Sequence, residues 1–227
     1  MDFQNRATDR ALSAFDARHN FVLSATYPFP FRFQQKLLSG ILGGWTINGI
    51  GTFRSGEPFG ARVNSNLSAN GDRWVPDRPN LNPGFSNNPT SGVAQGCASI
   101  TGVADPCHSP LISAACKSET PGTSLKTPTL WYDPCAFSKP APGHYGNVGR
   151  NTITGPGLQD VDASLEKVFK PIERVNIQAR AEVFNLLDHA NFYLPGYNVF
   201  SGSAGVISRL ISYPGGRIMQ FGVKLQF

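Results

Sequence analysis

Arg217-Ile218-Met219-Gln220-Phe221-Gly222-Val223-Lys224-Leu225-Gln226-Phe227 closes the sequence, and its alternation decides how the rest is read. Met219, Phe221, Val223, Leu225 and Phe227 fall on one side of an extended strand, and Ile218, Gln220, Gly222, Lys224 and Gln226 fall on the other. Terminal strands of soluble domains fray into polar residues, so a stretch that becomes more apolar toward its end needs something to bury it. Lipid fits that need. Transmembrane barrel strands run for about ten residues, alternate lipid-facing apolar with lumen-facing polar side chains, and gather aromatic residues at both interfaces.

The same alternation recurs upstream. Phe21, Leu23, Ala25, Tyr27 and Phe29 share one side of a strand ending at Pro28 and Pro30, and Trp45, Ile47 and Phe53 share one side of the next. Strands are expected near 19–29, 45–55, 159–170, 174–187 and 215–227. The third and fourth are read as a hairpin turning through Pro171, Ile172 and Glu173. That turn pairs Phe169 with Val175, Leu165 with Ala179 and Val161 with Val183, which puts both apolar rows on one side; a slip of one residue would separate them. Lys167 falls in the apolar row, where its long stem is expected to carry the ammonium to the headgroups. Arg180 is expected opposite Ser164, flanked by Asp162 and Glu166 on a wet face. A helix over 172–190 is the competing reading, since Val175, Ala179, Val183 and Leu187 recur at four-residue spacing. Strict alternation from Val175 to Val183 favours the strand.

Between these strands lie two segments without alternation, 56–157 and 188–214. Stretches such as Pro79-Asn80-Leu81-Asn82-Pro83-Gly84 mark the first as a long irregular connection. A structureless loop of that length is uncommon in a compact soluble domain but ordinary on the extracellular side of a barrel. Its four cysteines, Cys97, Cys107, Cys116 and Cys135, contain no Cys-x-x-Cys pair and are read as two disulfides tying down a loop with too little apolar content to fold by burial. All three pairings remain open. A metal site using His108 beside Cys107 matches no zinc spacing. No apolar run reaches the roughly 18 residues of a membrane helix. The net charge of +5 comes from singly scattered Lys and Arg, a distribution that does not point to nucleic acid.

Several segments resemble a known family. Phe15-Asp16-Ala17-Arg18-His19-Asn20-Phe21-Val22, Leu42-Gly43-Gly44-Trp45 with Arg54-Ser55-Gly56-Glu57-Pro58-Phe59, Gly146-Asn147-Val148-Gly149-Arg150-Asn151, and Arg180-Ala181-Glu182-Val183-Phe184-Asn185-Leu186-Leu187-Asp188-His189 are similar, in order, to the closing strands of TonB-dependent outer-membrane receptors of the Oar-like, carboxypeptidase-regulatory-like type. The resemblance implies a large barrel in the cell outer membrane, a plug domain, and a segment engaged by TonB. It also implies that Phe221, Val223, Leu225 and Phe227 form the signal read by the barrel assembly machinery. The chain has no plug and about five strands, fewer than the roughly eight of the smallest barrels. Met1 to Arg6 carries no basic segment followed by an apolar core. The expectation is therefore a carboxyl-terminal barrel fragment, an all-β antiparallel meander of about five transmembrane strands with long extracellular loops.

The function expected from this is nutrient uptake across the outer membrane, with outer-membrane lipid, the assembly machinery and, through the missing amino-terminal part, the TonB complex as partners. Candidate ligand contacts are the loop aromatics Trp74, Trp131, Tyr132 and Tyr197, which would otherwise pack the loops against one another. Arg54, Asp162, Glu166, Arg174, Arg180 and Glu182 are candidates to line the lumen. The alternative is a secreted, disulfide-stapled all-β binding or adhesion module. An enzyme is not expected, since His19, His108, His144 and His189 are dispersed and no nucleophile elbow, zinc-protease motif or phosphate loop occurs. No cofactor is expected either.

Overall fold

Period-two patterning of the backbone is realised as one antiparallel sheet. The computed structural model describes residues 6–31, 34–71, 76–211 and 215–227. In chain order the elements are β1 (Asn20–Pro28), α1 (Lys36–Leu42), β2 (Trp45–Arg54), β3 (Pro58–Phe59), β4 (Asn80–Leu81), α2 (Ala114–Ser118), β5 (Phe137–Ser138), β6 (Ile153–Thr154), β7 (Leu158–Ile172), β8 (Val175–Phe184) and β9 (Ile218–Gln226). The chain divides into two units.

The first unit takes Arg18–Ser55, Gly157–Asn191 and Leu210–Phe227 and is a five-stranded sheet in the order β1-β2-β7-β8-β9. Every pairing is antiparallel. Val175 to Phe184 is extended, so the helix considered for that segment does not form. The hairpin register differs from the expected one by two residues: Ala163 faces Val183, Leu165 faces Ala181, Lys167 faces Ala179 and Phe169 faces Ile177. A shift of two preserves which side each residue occupies, which is why the apolar rows still coincide. Its cause lies at the turn. Pro171 and Ile172 belong to β7, the register shifts between Phe169 and Ile172, and the reversal is made by Glu173 and Arg174. Proline has no amide hydrogen for the ladder, and a bulge is where a sheet tolerates it.

The second unit takes Met1–Ala17, Gly56–Pro156 and Phe192–Arg209. Here the expectation of a loop too poor in apolar residues to fold by burial is corrected. Phe59, Tyr132, Phe137, Val148 and Ile153 from the first long loop pack with Val199 and Ala204 from the second around one core. The two segments share their apolar side chains, so neither looked sufficient alone. Short pairings, β3 with β6 and β4 with β5, satisfy backbone groups around this core.

Candidate functional site

The sheet presents two chemically distinct faces. On one, register brings Phe21, Leu23, Ala25 and Tyr27 of β1 beside Phe53, Gly51, Gly49 and Ile47 of β2. The row continues through Val161, Ala163 and Leu165 of β7, Val183, Ala181 and Ala179 of β8, and Met219, Phe221, Val223 and Leu225 of β9. Many of these large side chains are open to the surroundings, Phe221 at 80% and Val223 at 72%. An uncovered apolar area spanning five strands marks a face made to be covered, by lipid or by another apolar surface.

The opposite face carries the sheet's polar and charged side chains, interspersed with Val22, Ile50, Val168 and Ile218, and is cross-linked by its own side chains. Thr26 Oγ1 donates to Asn48 Oδ1 at 2.9 Å, and Asn48 Nδ2 donates to Ser164 Oγ at 3.3 Å, a bridge across three strands. Arg180 stands opposite Glu166, not Ser164, and its guanidinium pairs with Glu182 on its own strand at 2.8 Å. Gln178 Nε2 reaches Glu166 Oε2 at 3.4 Å. Asp162 Oδ1 accepts the backbone amide of Asn185 at 2.9 Å. Of the proposed lumen residues, Arg54, Asp162, Glu166, Arg180 and Glu182 lie on strands of this face, whereas Arg174 lies in the β7–β8 turn. Continuation of β7 through Pro171 to Ile172 leaves Arg174 in the two-residue reversal, off the wall.

One face for lipid and one for water is the layout of a barrel wall. The sequence profile described as an outer membrane beta barrel domain matches residues 1–220. The chain belongs to that family. It resides in the cell outer membrane. No curated protein and no solved structure matches it. The secreted-module alternative is set aside by this membership.

Two positions in this barrel chain do more than sequence reasoning assigned to them. Lys167 does not reach toward headgroups: it is buried, and its Nζ donates to the carbonyl oxygens of Gly40, Ile41 and Gly43 at the end of α1. The rings of Trp45 and Phe169 stand 5.6 and 4.7 Å from it. Asn185 is fully buried in a left-handed conformation and locks the exit from β8. Its Nδ2 donates to His189 O at 3.0 Å and Gly215 O at 2.8 Å, and its Oδ1 accepts the His189 amide at 2.9 Å. The motif Phe184 to His189 is thus a chain reversal held by an asparagine, a residue that tolerates positive φ.

In the loop unit the disulfides are Cys97–Cys107 and Cys116–Cys135. Cys107 is therefore engaged with sulfur, and His108 Nδ1 sits 3.0 Å from the Asp105 carboxylate. Asp133 caps the short 3-10 turn Pro134–Ala136 by accepting the amides of Cys135 and Gln95, each at 2.8 Å. Burial raises its carboxyl above the ordinary range, against the pull of those two amides. Both Cys116 and Cys135 are fully buried beside Ile100 and Ile112. A bridge closing a loop of this separation contributes about 3 kcal/mol in the chain-entropy account. The Cys116→Ser/Cys135→Ser double variant should lose roughly that much, read as faster limited proteolysis within 97–135 while the β7–β8 hairpin stays protected.

The proposed ligand aromatics separate. Tyr132 is fully buried, its hydroxyl donating to Gly196 O at 2.6 Å, so it is a core residue and not a surface contact. Burial pushes its phenol upward. Trp131 is half-buried and donates Nε1 to Thr154 O at 2.8 Å. Tyr197 remains open, with the Arg62 guanidinium 5.2 Å from its ring centre. Trp74 lies outside the described residues. Sequence reasoning missed a cavity of about 410 Å³ in this unit, lined by Arg62, Arg78, Arg150, Tyr145, Asp9 and Asp77. Arg78 pairs with Asp9 at 3.2 Å, and Asp77 accepts the amide and hydroxyl of Ser68. These arginines are far apart in sequence and carry no shared local pattern, so only folding reveals them together.

Proposed function

We propose that this chain supplies wall strands and surface loops of a TonB-dependent outer-membrane receptor of the Oar-like type, which imports a nutrient ligand captured outside the cell. The observation that carries the reading is that the segments resembling such receptors recur in order along the chain, and that two of them turn it at the ends of elements of the sheet unit. Leu42–Trp45 turns α1 into β2, Phe184–His189 turns out of β8, and Gly146–Asn151 threads the loop unit. In this reading the β1–β2 and β7–β8 connections leave the strands on the periplasmic side, and the β2–β7 and β8–β9 connections leave them on the outer side. The edges of β1 and β9 need further strands, since unpaired backbone groups in lipid cost several kcal/mol each.

The barrel assembly machinery reads Phe221, Val223, Leu225 and Phe227, and TonB acts through a plug-bearing segment. Tyr197 and Trp131 flank the route of the ligand, and the polar face lines the lumen. The chain carries no catalysis, no cofactor and no nucleic-acid partner in this reading. Export behind a secretory signal should give urea-resistant outer-membrane association that falls sharply when Phe227 is deleted. A soluble product indifferent to Phe227 would sink the assembly signal. In-frame coding sequence upstream of Met1 decides the receptor type: a plug region supports it, and an unrelated soluble domain there overturns it.

A further inference from the structure

Seven residues between β1 and β2 form α1, and no charged residue occurs from Leu37 to Gly44. Leu37 and Ile41 are 81% and 60% exposed, and Leu38 and Leu42 are also open. A helix this short is not stable by itself in water, so something holds it. Two donors from the apolar side of the sheet do. Lys167 and Trp45 are cross-strand partners in the apolar row; Lys167 Nζ takes the carbonyls of Gly40, Ile41 and Gly43, and Trp45 Nε1 donates to Ile41 O at 2.9 Å. Gly44, at φ +73°, then turns the chain into β2. A groove of about 830 Å³ beside the helix end is lined by Phe29, Phe31, Gly43, Lys167, Phe169 and Ile177. Phe29 stacks on Phe31 at 5.5 Å and packs edge-on to Tyr27 at 5.7 Å.

The position of Lys167 gives this its meaning. A lysine on the lipid face is costly at the midplane and nearly free of penalty close to the interface. Here the ammonium meets neither lipid nor water, because the helix end lies over it and supplies the oxygens it needs. The cationic partner also suits the negative end of the helix dipole. Since the apolar row on which α1 is pinned is the lipid-facing wall, the outward side chains of α1 continue that surface at the end carrying the hairpin turn.

We infer that α1 is an interfacial helix seated in the periplasmic leaflet, with Leu37 and Ile41 among the acyl chains, Lys167 as its latch, and the aromatic groove beside it taking a phospholipid acyl chain. The inference rests on the outer-membrane placement of the chain and on the proposed orientation of its strands, and is independent of what the barrel transports.

The four native cysteines are all bridged, so a Leu37→Cys variant carries one free thiol for a nitroxide label. Outer-membrane vesicles from cells in which the chain is exported as part of its closed barrel provide the native setting. The Leu37→Cys label should be relaxed by dissolved oxygen and protected from a water-soluble nickel chelate, as is a label at Leu23→Cys in the belt. A label at Leu37→Cys that is open to the chelate while Leu23→Cys is protected would overturn the inference and leave the barrel reading standing. Adding Lys167→Met, which keeps the apolar stem and removes the donors, should abolish the protection at Leu37→Cys but not at Leu23→Cys. Unchanged protection there would overturn the latch.

Discussion

Truncating Tyr132 to alanine should lower the stability of the disulfide-stapled unit by about 3–5 kcal/mol, the range for removing a large buried aromatic side chain. Its ring is fully buried 6.2 Å from that of Phe59 and 6.0 Å from that of Phe137, so nothing near it is free to fill the space. Tyr132→Phe keeps the ring and loses only the hydroxyl bond to Gly196 O, and that carbonyl retains the Gly205 amide at 3.0 Å. The cost should be about 1 kcal/mol. Denaturant unfolding monitored through Trp131, whose indole lies against the same core, separates the two variants. Equal, negligible shifts for both would mean that the loops do not share a core.

Gly146→Ala should be nearly as damaging for a different reason. A Cβ at Gly146 would stand 2.1 Å from Arg78 O and 2.2 Å from Pro79 O, both backbone atoms that cannot rotate away. Separating the segments would break the bond from Val148 N to Pro79 O and the exchange in which Leu81 N donates to Asn147 Oδ1 at 2.7 Å and Asn147 N to Asn80 Oδ1. A loss of roughly 4 kcal/mol is expected, at the upper end of single-substitution effects. Gly143→Ala is the matched control: at φ +78°, with nothing near a built Cβ, it should show only the left-handed backbone cost of about 1 kcal/mol. Thermal unfolding of the two variants side by side distinguishes close approach from turn geometry.

How much of this was legible in the chain follows from the range over which each feature acts. Alternation is a local property, so the strands around Asn20, Trp45, Leu158, Val175 and Ile218 could be placed within a few residues, and with them the division into apolar and polar faces. The hairpin parity was legible for the same reason. Its register was not, because the bulge between Phe169 and Ile172 puts one extra residue into β7 beside the turn, and the alternation from Val161 to Phe169 and from Ile177 to Val183 carries no trace of it. Helix α1 lies between two expected strands where no element was expected, although Leu37, Leu38, Ile41 and Leu42 before Gly43-Gly44 carry helical spacing. Its stability comes from Lys167 and Trp45, and Lys167 is remote in sequence.

The alternating faces, the wall they build and its five long strands were determined by the sequence by itself, since each depends on residues two apart. The tertiary structure alone decided that Cys97 joins Cys107 and Cys116 joins Cys135, and that Tyr132 is core while Tyr197 stays outside. It also decided that three distant arginines line one cavity and that a lysine in an apolar row meets carbonyls instead of lipid. Those outcomes depend on which distant segments meet, and spacing along the chain carries no information about that.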